Sequence, residues 1–456
     1  MTKKFLIIAI LSLVAVSAFS GGLLTNTNQS AHFLRNPALD ASTEIDAVYT
    51  NPAGLTFLSD GFHLSLTNQS VYQTRTISST FAPFAAFNGG DQTKTYEGTA
   101  SAPVVPSFQF AYKKNRYAIS AGFAITGGGG KAVFNHGLPS FEAPISMIPL
   151  SLKSKGIPTT AYSVDQYMEG RQYIFGAQLN GTYKINDAFS AALGMRLNIV
   201  NDKYEGHLRS IQINPTHPLL NPTGAMMSAT TFFTNAGMTA NAAATADKYL
   251  DCTQTGWGIT PIVSLDYHVA GLNLAAKYEF KSTLNVQNNT TIDDTGLYAD
   301  GVNTPHDIPA LLTLGAEYQM CEKWKVSGGY HHFFDSEAKM ANNKQQYING
   351  GVNEYLLGSE YKINDMFLIS AGGQITRTGV TDAYQTDMSF SLNSYSIGFG
   401  GAVNITPDLR LNLSYFFTNY DKWTKVSANY NGTTLAGTDV YDRTNKVFGI
   451  GLEYKF

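Results

Sequence analysis

Residues 35–58 read RNPALDASTEIDAVYTNPAGLTFL, and this stretch contains the tripeptide Asn-Pro-Ala twice. Proline lacks an amide hydrogen and biases the residue before it towards extended or turn geometry, and asparagine can hydrogen-bond its own backbone there. The stretch fits neither a strand nor a helix interior, so we expect a compact, turn-rich segment. The motif residues are Asn36, Pro37, Ala38, Asn51, Pro52, Ala53 and Gly54. Because a long series of strand patterns follows, the segment is predicted to be a hatch, a plug packed inside a barrel.

The clearest strand pattern lies at the end of the chain. From Phe448 to Phe456, large apolar side chains alternate with two glycines, Glu453 and Lys455. Because successive side chains of a strand point to opposite faces, one face is apolar and the other is small or charged. A midplane Lys or Arg that faces lipid costs about 2–4 kcal/mol, so the second face is predicted to line a polar interior.

Fourteen segments with this alternation can be counted from Phe62 onwards, joined alternately by short turns and long loops. The long loops are predicted at 78–101, 127–169, 213–254, 288–305, 338–349, 380–392 and 421–440. Short inner turns and long outer loops are typical of outer-membrane barrels. The sequence therefore predicts an all-β fold, a fourteen-stranded antiparallel transmembrane β-barrel at 61–456 with the hatch at 21–60 inside its lumen.

The start of the chain and its composition agree with this fold. Lys3 and Lys4 precede a short apolar run and small residues, which predicts a secretory signal peptide at 1–20. Charged residues make up only 14% and aromatic residues 12% of the chain, while the mean hydropathy is −0.12. A barrel can span a membrane at this hydropathy because only alternate residues face lipid. The net charge of −3 argues against a nucleic-acid partner.

An exported leader, a short segment ending in NPAGL and a strand that reads GFHLSLTNQSVY together resemble the FadL family. Its members are outer-membrane channels for long-chain fatty acids and other hydrophobic molecules. The resemblance implies a fourteen-stranded barrel with an N-terminal hatch, and places the hatch motif on Asn51, Pro52 and Ala53. The upstream triplet at Asn36 departs from the family pattern. The resemblance also implies a location in the bacterial outer membrane and no cofactor.

The resemblance further implies passive, diffusive uptake of a fatty acid or hydrocarbon. The expected steps are capture on the outer loops, transfer into an apolar pocket above the hatch, rearrangement of the hatch and lateral exit. The expected partners are the hydrophobic substrate and the lipid of the outer membrane. The C-terminal Phe456 resembles the signal read by the barrel assembly machinery, which is a further predicted partner.

Loop 213–254 is unusually rich in methionine, alanine and phenylalanine for an exposed loop. Methionine packs against irregular apolar shapes, so this loop could form an adaptable ligand-binding surface. The candidate contacts are Met226, Met227, Phe232, Phe233 and Met238. The alternative is that these side chains only pack the loop onto its neighbours. The resemblance favours ligand contact, because the matching loop of the family helps to form the groove where substrate first lands.

Two basic residues, Arg196 and Lys277, fall on predicted lumen faces. Either could bind a substrate carboxylate through a charge-assisted hydrogen bond. The alternative is that they pair with Glu279, Glu317 or Glu360 and only neutralise the interior.

Four consecutive glycines, Gly127, Gly128, Gly129 and Gly130, end the predicted third strand. Such a run does not hold a regular strand well, so we expect a bulge or bend. In the FadL family a kink in the third strand opens the barrel wall towards lipid, so the resemblance implies a lateral opening here. The alternative is the flexible start of a loop.

The sequence contains no GxSxG, HExxH or CxxC motif and marks no nucleophile–base pair, which predicts a protein that is not an enzyme and holds no metal. Cys252 and Cys321 are predicted to lie at opposite ends of the barrel, in an outer loop and an inner turn, and not to be bonded. Two other functions stay open, a hydrophilic porin-like channel and a surface adhesin or structural outer-membrane protein.

Overall fold

The computed structural model describes residues 23–456, so the predicted signal peptide lies outside the described residues. The chain forms one antiparallel sheet that closes on itself, which confirms the predicted fourteen-stranded barrel. The strands are β1 Gly61–Thr80, β2 Thr93–Lys114, β3 Tyr117–Phe134, β4 Tyr162–Lys184, β5 Phe189–Ile213, β6 Lys248–Val269, β7 Leu272–Glu279 with Asn285–Asp293, β8 Asn303–Pro305 with Leu311–Cys321, β9 Trp324–Phe333, β10 Asn353–Lys362, β11 Phe367–Arg377, β12 Ser394–Thr406, β13 Leu409–Tyr420 with Trp423–Ser427, and β14 Gly437–Lys455.

The barrel closes between its first and last strands. β1 pairs with β2 on one side and with β14 on the other. At the end of the seam, the amide of Phe62 donates a 2.8 Å hydrogen bond to the carbonyl of Phe456, and their rings stack with centroids 5.2 Å apart. The C-terminal aromatic residue therefore lies at the rim of the inner turns, beside the start of β1.

The alternation on β14 confirms the predicted two faces of that strand. Phe448, Ile450 and Leu452 are about half exposed on the outside of the barrel. Gly449 and Gly451 face inwards, where an added Cβ would contact hatch residues. Period-two alternation thus places an apolar face towards lipid and leaves room for the hatch inside the barrel.

Residues 23–58 form the hatch and are almost entirely buried in the lumen. The segment contains the helix α1 Ala31–Arg35 and the 3₁₀ helices Ile45–Val48 and Pro52–Phe57. Ser30 caps α1, since its hydroxyl accepts a 3.0 Å hydrogen bond from the amide of Phe33. Pro52 opens its 3₁₀ helix, where a missing amide hydrogen costs nothing.

Glycines on the inner faces of the strands let the hatch approach the wall closely. An added Cβ at Gly358 would overlap Asn36, and one at Gly398 would overlap the carbonyl of Leu34. Further glycines in contact with the hatch are Gly315, Gly329, Gly372, Gly400 and Gly449. The abundance of glycine in the sequence is thus explained in part by the fit of the hatch.

The outer end of the lumen is closed by loops and helices. The helices are α2 Pro139–Ser154, α3 Ala229–Asn235 and α4 Thr239–Ala244, with a short strand at Met227–Ser228 and 3₁₀ turns at Ala82–Ala86, Asp335–Glu337, Ala341–Tyr347 and Tyr430–Gly432. No helix among residues 23–456 is long and apolar enough to cross a membrane. Loop 378–393 folds inwards and buries Met388, Phe390 and Leu392.

An apolar cluster above the hatch, here called the upper core, fills the outer half of the lumen. It includes Ile77, Phe81, Phe84, Tyr96, Phe134, Met168, Tyr204, Met388, Phe390 and Tyr441. A second cluster, the lower cluster, lies closer to the hatch and consists of Leu34, Val71, Val105, Ile125, Phe416 and Val447. The lumen is therefore not a water-filled pore.

The structure differs from the sequence expectations in its details. β3 continues through the glycines to Phe134, so the following loop starts later than predicted. β8 is broken between Pro305 and Leu311, and Ile308 lies buried at the break. Cys252 lies on β6 rather than in a loop, but it and Cys321 are free thiols, as predicted.

Candidate functional site

The second Asn-Pro-Ala triplet anchors the hatch to the wall formed by β4 to β6. Asn51 Nδ2 donates hydrogen bonds to the Asp266 carboxylate and to the Ser42 carbonyl at 3.2 Å. Asn51 Oδ1 accepts a 3.2 Å hydrogen bond from the Ser264 hydroxyl. All four side-chain positions are buried. One amide side chain therefore links the hatch turn to two inward-facing residues of β6.

The backbone after Asn51 is bonded to the same wall. The Pro52 carbonyl accepts a 2.8 Å hydrogen bond from Thr182, and the Ala53 carbonyl accepts one of 2.6 Å from Ser190. Gly54 is required by close packing, because an added Cβ would lie 2.6 Å from both Asn51 Nδ2 and the Ser42 carbonyl. The motif thus docks the hatch on the wall, because its buried backbone carbonyls accept hydrogen bonds from strand hydroxyls instead of from water.

The first triplet anchors the hatch to a different sector of the wall, formed by β9 to β11. Asn36 Nδ2 donates a 3.0 Å hydrogen bond to Glu360, and Asn36 Oδ1 accepts one of 3.3 Å from Ser327. Pro37 packs closely against Gly372, where an added Cβ would lie 2.6 Å from the proline ring. Both triplets therefore hold the hatch, each against its own strands.

Arg196 and Lys277 share one counterion inside the lumen. Arg196 Nη1 lies 2.6 Å from Glu279 Oε2, and Lys277 Nζ lies 2.7 Å from Glu279 Oε1. Both cations also lie 4.6 Å from the ring centroid of Tyr49 on the hatch. The pairing with Glu279 that the sequence left open is therefore present. A role of either residue in binding substrate stays a prediction.

The wall between β2 and β3 is incomplete beside the four glycines. These strands pair up to Phe108 opposite Phe123 and resume at Ala100 opposite Ala132, so residues 101–107 and 124–131 lack ladder hydrogen bonds to each other. The β3–β4 register also shifts at Gly127. Within this stretch Gly128 adopts a φ of +87°, which favours glycine.

A small cavity lies between this gap and the hatch. Its volume is about 20 Å³, roughly the space for one water molecule. The lining includes Val48, Ser107, Phe108, Phe123, Gln178 and Arg196. Phe108 and Phe123 are 36% and 46% exposed on the outside of the barrel. The cavity therefore connects the hatch region with the lipid-facing surface, but it is too narrow for an alkyl chain in this conformation.

The candidate residues of loop 213–254 divide into two groups. Phe232 and Phe233 are buried and pack edge to face, with ring centroids 5.6 Å apart. They belong to an outer cluster with Ile145, Leu152, Tyr162, Ile211 and Ile213. Met226 is exposed, and Met227 and Met238 are half-buried. Met227 and Met238 pack against this cluster, so Met226 is the exposed member of the set, and contact of these residues with a ligand stays a prediction.

Two buried arginines near the upper core, Arg75 and Arg443, were not singled out from the sequence. Both lie on the inner phase of their strands, in the same alternation as Gly449 and Glu453 of β14. That phase was the signal available in the sequence. It was obscured because the outer halves of β1 and β14 carry polar residues on both faces.

Comparisons with known proteins agree on the fold. No protein family model and no curated protein matches the chain. A Pseudomonas aeruginosa FadL homologue of known structure is 14% identical, with 95% of this chain and 98% of that chain covered and a TM-score of 0.62. The chain has the FadL fold. A closed fourteen-stranded barrel with apolar side chains on its outer face fits a bacterial outer-membrane β-barrel.

Two further structures with this fold are named for aromatic substrates. The Pseudomonas putida toluene transporter TodX is 16% identical, with 91% of this chain and 94% of that chain covered and a TM-score of 0.54. The CymD monoaromatic hydrocarbon channel is 13% identical, with 93% and 98% covered and a TM-score of 0.51. The FadL fold is thus shared with structures of channels for hydrophobic compounds, at identities that establish the fold alone.

Proposed function

We propose that the protein is an outer-membrane channel for passive uptake of hydrophobic molecules, with long-chain fatty acids as the default substrate. The observation that carries this proposal is the gap between β2 and β3, which lies beside the hatch and adjoins lipid-facing Phe108 and Phe123. A side exit lets an apolar molecule pass into lipid without crossing the aqueous periplasm. A hydrophilic pore releases its solutes into the aqueous periplasm and needs no opening towards lipid.

The proposed route begins on the outer loops and ends in the membrane. Met226 and its half-buried neighbours Met227 and Met238 provide an adaptable apolar surface for capture. The upper core then accepts the molecule, the hatch rearranges, and the molecule leaves beside Gly127 to Gly130. Apolar burial at each stage supplies the driving force, at roughly 25 cal/mol per Å².

The hatch and the proposed exit are physically linked. Thr25 forms an isolated bridge with Gly127, and Asn26 donates a 2.8 Å backbone hydrogen bond to the Thr126 carbonyl. Movement of Thr25 and Asn26 would break these contacts at the edge of the gap. This link supports a sequence in which hatch rearrangement and lateral exit occur together.

The test is paired uptake in liposomes that contain the refolded barrel. We expect entry of a long-chain fatty acid without leakage of a small sugar. Arrest of fatty-acid uptake after the β2–β3 gap is closed by a disulfide between cysteines at Ala102 and Gly129, with recovery on reduction, would support lateral exit. Sugar leakage alone would favour a porin, and the absence of both would favour an adhesin.

A further inference from the structure

The apolar band on the outside of the barrel ends at a similar height on β4, β5 and β6. Its outward-facing residues run from Tyr183 to Tyr173 on β4 and from Phe189 to Ile199 on β5. On β6 they run from Tyr267 to Trp257, which is 67% exposed. Each run matches the roughly 9–11 residues with which a strand crosses a bilayer. The residues beyond these runs, on the side of the long loops, therefore lie at the level of the lipid headgroups.

Three basic residues, here called the basic row, lie side by side just beyond this edge. Lys131 of β3 is the register partner of Arg171 on β4, and Arg171 is the partner of Lys203 on β5. Arg171 is the next outward-facing residue after Tyr173 at the edge of the band. The side chains of Lys131 and Lys203 are 46% and 29% exposed. Like charges on neighbouring strands repel, so the row requires anions nearby.

Three carboxylates form a second row, one outward-facing position further from the membrane. Glu169, Glu205 and Asp251 are register partners across β4, β5 and β6. Lys131 Nζ lies 2.7 Å from Glu169 Oε2, and Lys203 Nζ lies 2.7 Å from Glu205 Oε2. The protein itself thus neutralises the two lysines in part. If every cation were paired in this way, the two rows would need no ligand.

Arg171, in the middle of the basic row, is not paired in this way. It forms no salt bridge within residues 23–456, and its Nη2 donates a 2.8 Å hydrogen bond to the neutral Asn201 side chain. Its Nε is shielded from solvent and has no hydrogen-bond partner among the same described residues. The Tyr173 ring covers one side, with its centroid 5.9 Å from the guanidinium. A shielded donor is destabilising unless it meets an acceptor, so Arg171 points to an anion from outside the protein.

Aromatic residues form a third row beyond the carboxylates. Tyr167, His207 and Tyr249 are register partners on β4, β5 and β6. The Tyr167 and His207 rings stack with centroids 5.7 Å apart, and Tyr249 is 37% exposed. Carboxylates accept hydrogen bonds from hydroxyl groups, and aromatic rings offer flat apolar faces. A sugar ring can use both kinds of contact.

The order of the rows matches one class of lipid. From the membrane outwards come apolar side chains, cations, carboxylates and aromatic rings. A phosphorylated glycolipid presents acyl chains, phosphate and sugar to such a surface. Arginine suits the phosphate because its planar fork binds two oxygens at once, while lysine adds point charges. A soluble anionic partner would have to displace lipid headgroups to reach Arg171 at the edge of the band.

We propose that the basic row, centred on Arg171, binds a phosphate of a phosphorylated glycolipid in the outer leaflet of the membrane. Arg171 binds two phosphate oxygens, Lys131 and Lys203 add positive charge on either side, and the acyl chains lie on the apolar band. The carboxylate and aromatic rows then face the sugar. This surface lies on the outside of the barrel, so the inference goes beyond the proposed channel function and does not depend on it.

The test compares lipid A, a phosphorylated glycolipid, with the same lipid after removal of its phosphates. Equilibrium binding of each is measured to the purified barrel in nonionic detergent, with binding to empty micelles subtracted. The wild-type protein is expected to prefer the phosphorylated form by about tenfold or more, since hydrogen bonds to charged groups are strong. Arg171→Gln is expected to weaken binding of lipid A by about tenfold and to leave the dephosphorylated form within about twofold.

Lys446→Gln is the matched control. Lys446 is also an exposed cation at the outer edge of the apolar band, but its register partners are Tyr72 and Phe417 rather than further cations. Its loss should leave the preference unchanged. Arg171→Lys keeps the charge but loses the fork, so its preference should be intermediate. Added salt should reduce the preference of the wild type, because exposed charges are screened.

Three results would overturn the proposal. The first is equal binding of the two lipids by the wild type, or unchanged binding of lipid A by Arg171→Gln. The second is an equal loss in Arg171→Gln and Lys446→Gln, which would show general charge attraction only. The third is displacement of lipid A by millimolar inorganic phosphate, which would mean that the site binds free phosphate rather than a lipid.

Two further points keep the result decisive. If Arg171→Gln does not fold, the preference of Arg171→Lys decides the same question, since a wild-type preference in that variant would show that the fork is not used. Fatty-acid uptake is measured in liposomes without lipid A. Failure of uptake would therefore overturn the channel function and leave the lipid site standing.

Discussion

The carbonyl of Leu24 accepts a 3.0 Å hydrogen bond from the amide of Gly128. The first described residues of the hatch are therefore paired with β3 at the irregular stretch where β3 lacks ladder hydrogen bonds to β2. Because Thr25 bridges Gly127 in the same place, the hatch terminus behaves as a short extra strand against the edge of the gap. Backbone hydrogen bonds therefore join the plug to the proposed exit.

Gly127→Val is predicted to release the hatch terminus from β3. An added side chain would overlap the Leu24 carbonyl, so residues 23–28 must move away from β3. We expect faster hydrogen exchange of this segment and a change in fatty-acid uptake of about threefold or more, equivalent to at least about 0.7 kcal/mol. The matched control is Gly181→Ala on β4, where an added Cβ has open space. Equal exchange in both variants would contradict the link.

Asn51→Asp is predicted to loosen the hatch where it meets β6. The substitution replaces a donor to Asp266 with a second carboxylate, so attraction becomes repulsion. We expect a loss of hatch docking of about 2–4 kcal/mol and measurable leakage of a small sugar. Asn51→Ala removes the hydrogen bonds without adding charge and should have the smaller effect. Leakage that is greater for Asn51→Ala would show that repulsion is not the cause.

Met226→Ala and Phe232→Ala are predicted to impair uptake for different reasons. Phe232 is buried in the outer cluster, so its truncation should cost about 3–5 kcal/mol of local stability and speed hydrogen exchange across loop 213–254. Met226 is exposed, so its loss should lower fatty-acid uptake without changing exchange. Leu219→Ala is the control, because Leu219 is 88% exposed in the same loop. Normal uptake by Met226→Ala would remove this residue from the capture surface.

Asp387→Asn is predicted to stabilise the inward position of loop 378–393 at neutral pH. Burial raises the pKa of Asp387 to about 6, with repulsion from Asp439 adding to the shift. The docked loop therefore binds the proton more tightly than the open loop, so docking strengthens as pH falls from about 6 to about 4 and is weakest above pH 6. Asparagine is neutral at every pH and its carbonyl oxygen can still accept the hydrogen bond from the Ser140 amide. The substitution therefore removes the free-energy cost of burying an ionised carboxylate.

The measurement for Asp387→Asn is hydrogen exchange of residues 378–393 at one pH, near 7, in both proteins. Slower exchange in the variant and reduced fatty-acid uptake are expected, because Met388, Phe390 and Leu392 of the docked loop occupy the upper core. Ser391→Ala, on the same loop but without a titrating group, serves as the control. Faster exchange in Asp387→Asn would mean that the ionised carboxylate is the form that holds the loop.

The sequence by itself determined the barrel. A period-two pattern fixes which side chains face lipid and which face the lumen, and this information is local to each strand. The spacing of turns then gives the strand number, and two prolines in the Asn-Pro-Ala triplets are enough to remove that segment from the sheet.

Only the tertiary structure decided which charged residues are satisfied. In the sequence Arg196, Lys277 and Arg443 look alike, since each is a cation on an inward-facing phase of a strand. Arg196 meets Glu279 from a strand 83 residues further along the chain, and Lys277 meets the same carboxylate from its own strand. Among residues 23–456, no carboxylate forms a salt bridge with Arg443. The same holds for Phe232, whose burial depends on α2. Pairing across a closed barrel is set by register and by the hatch, and neither is encoded in the neighbouring residues.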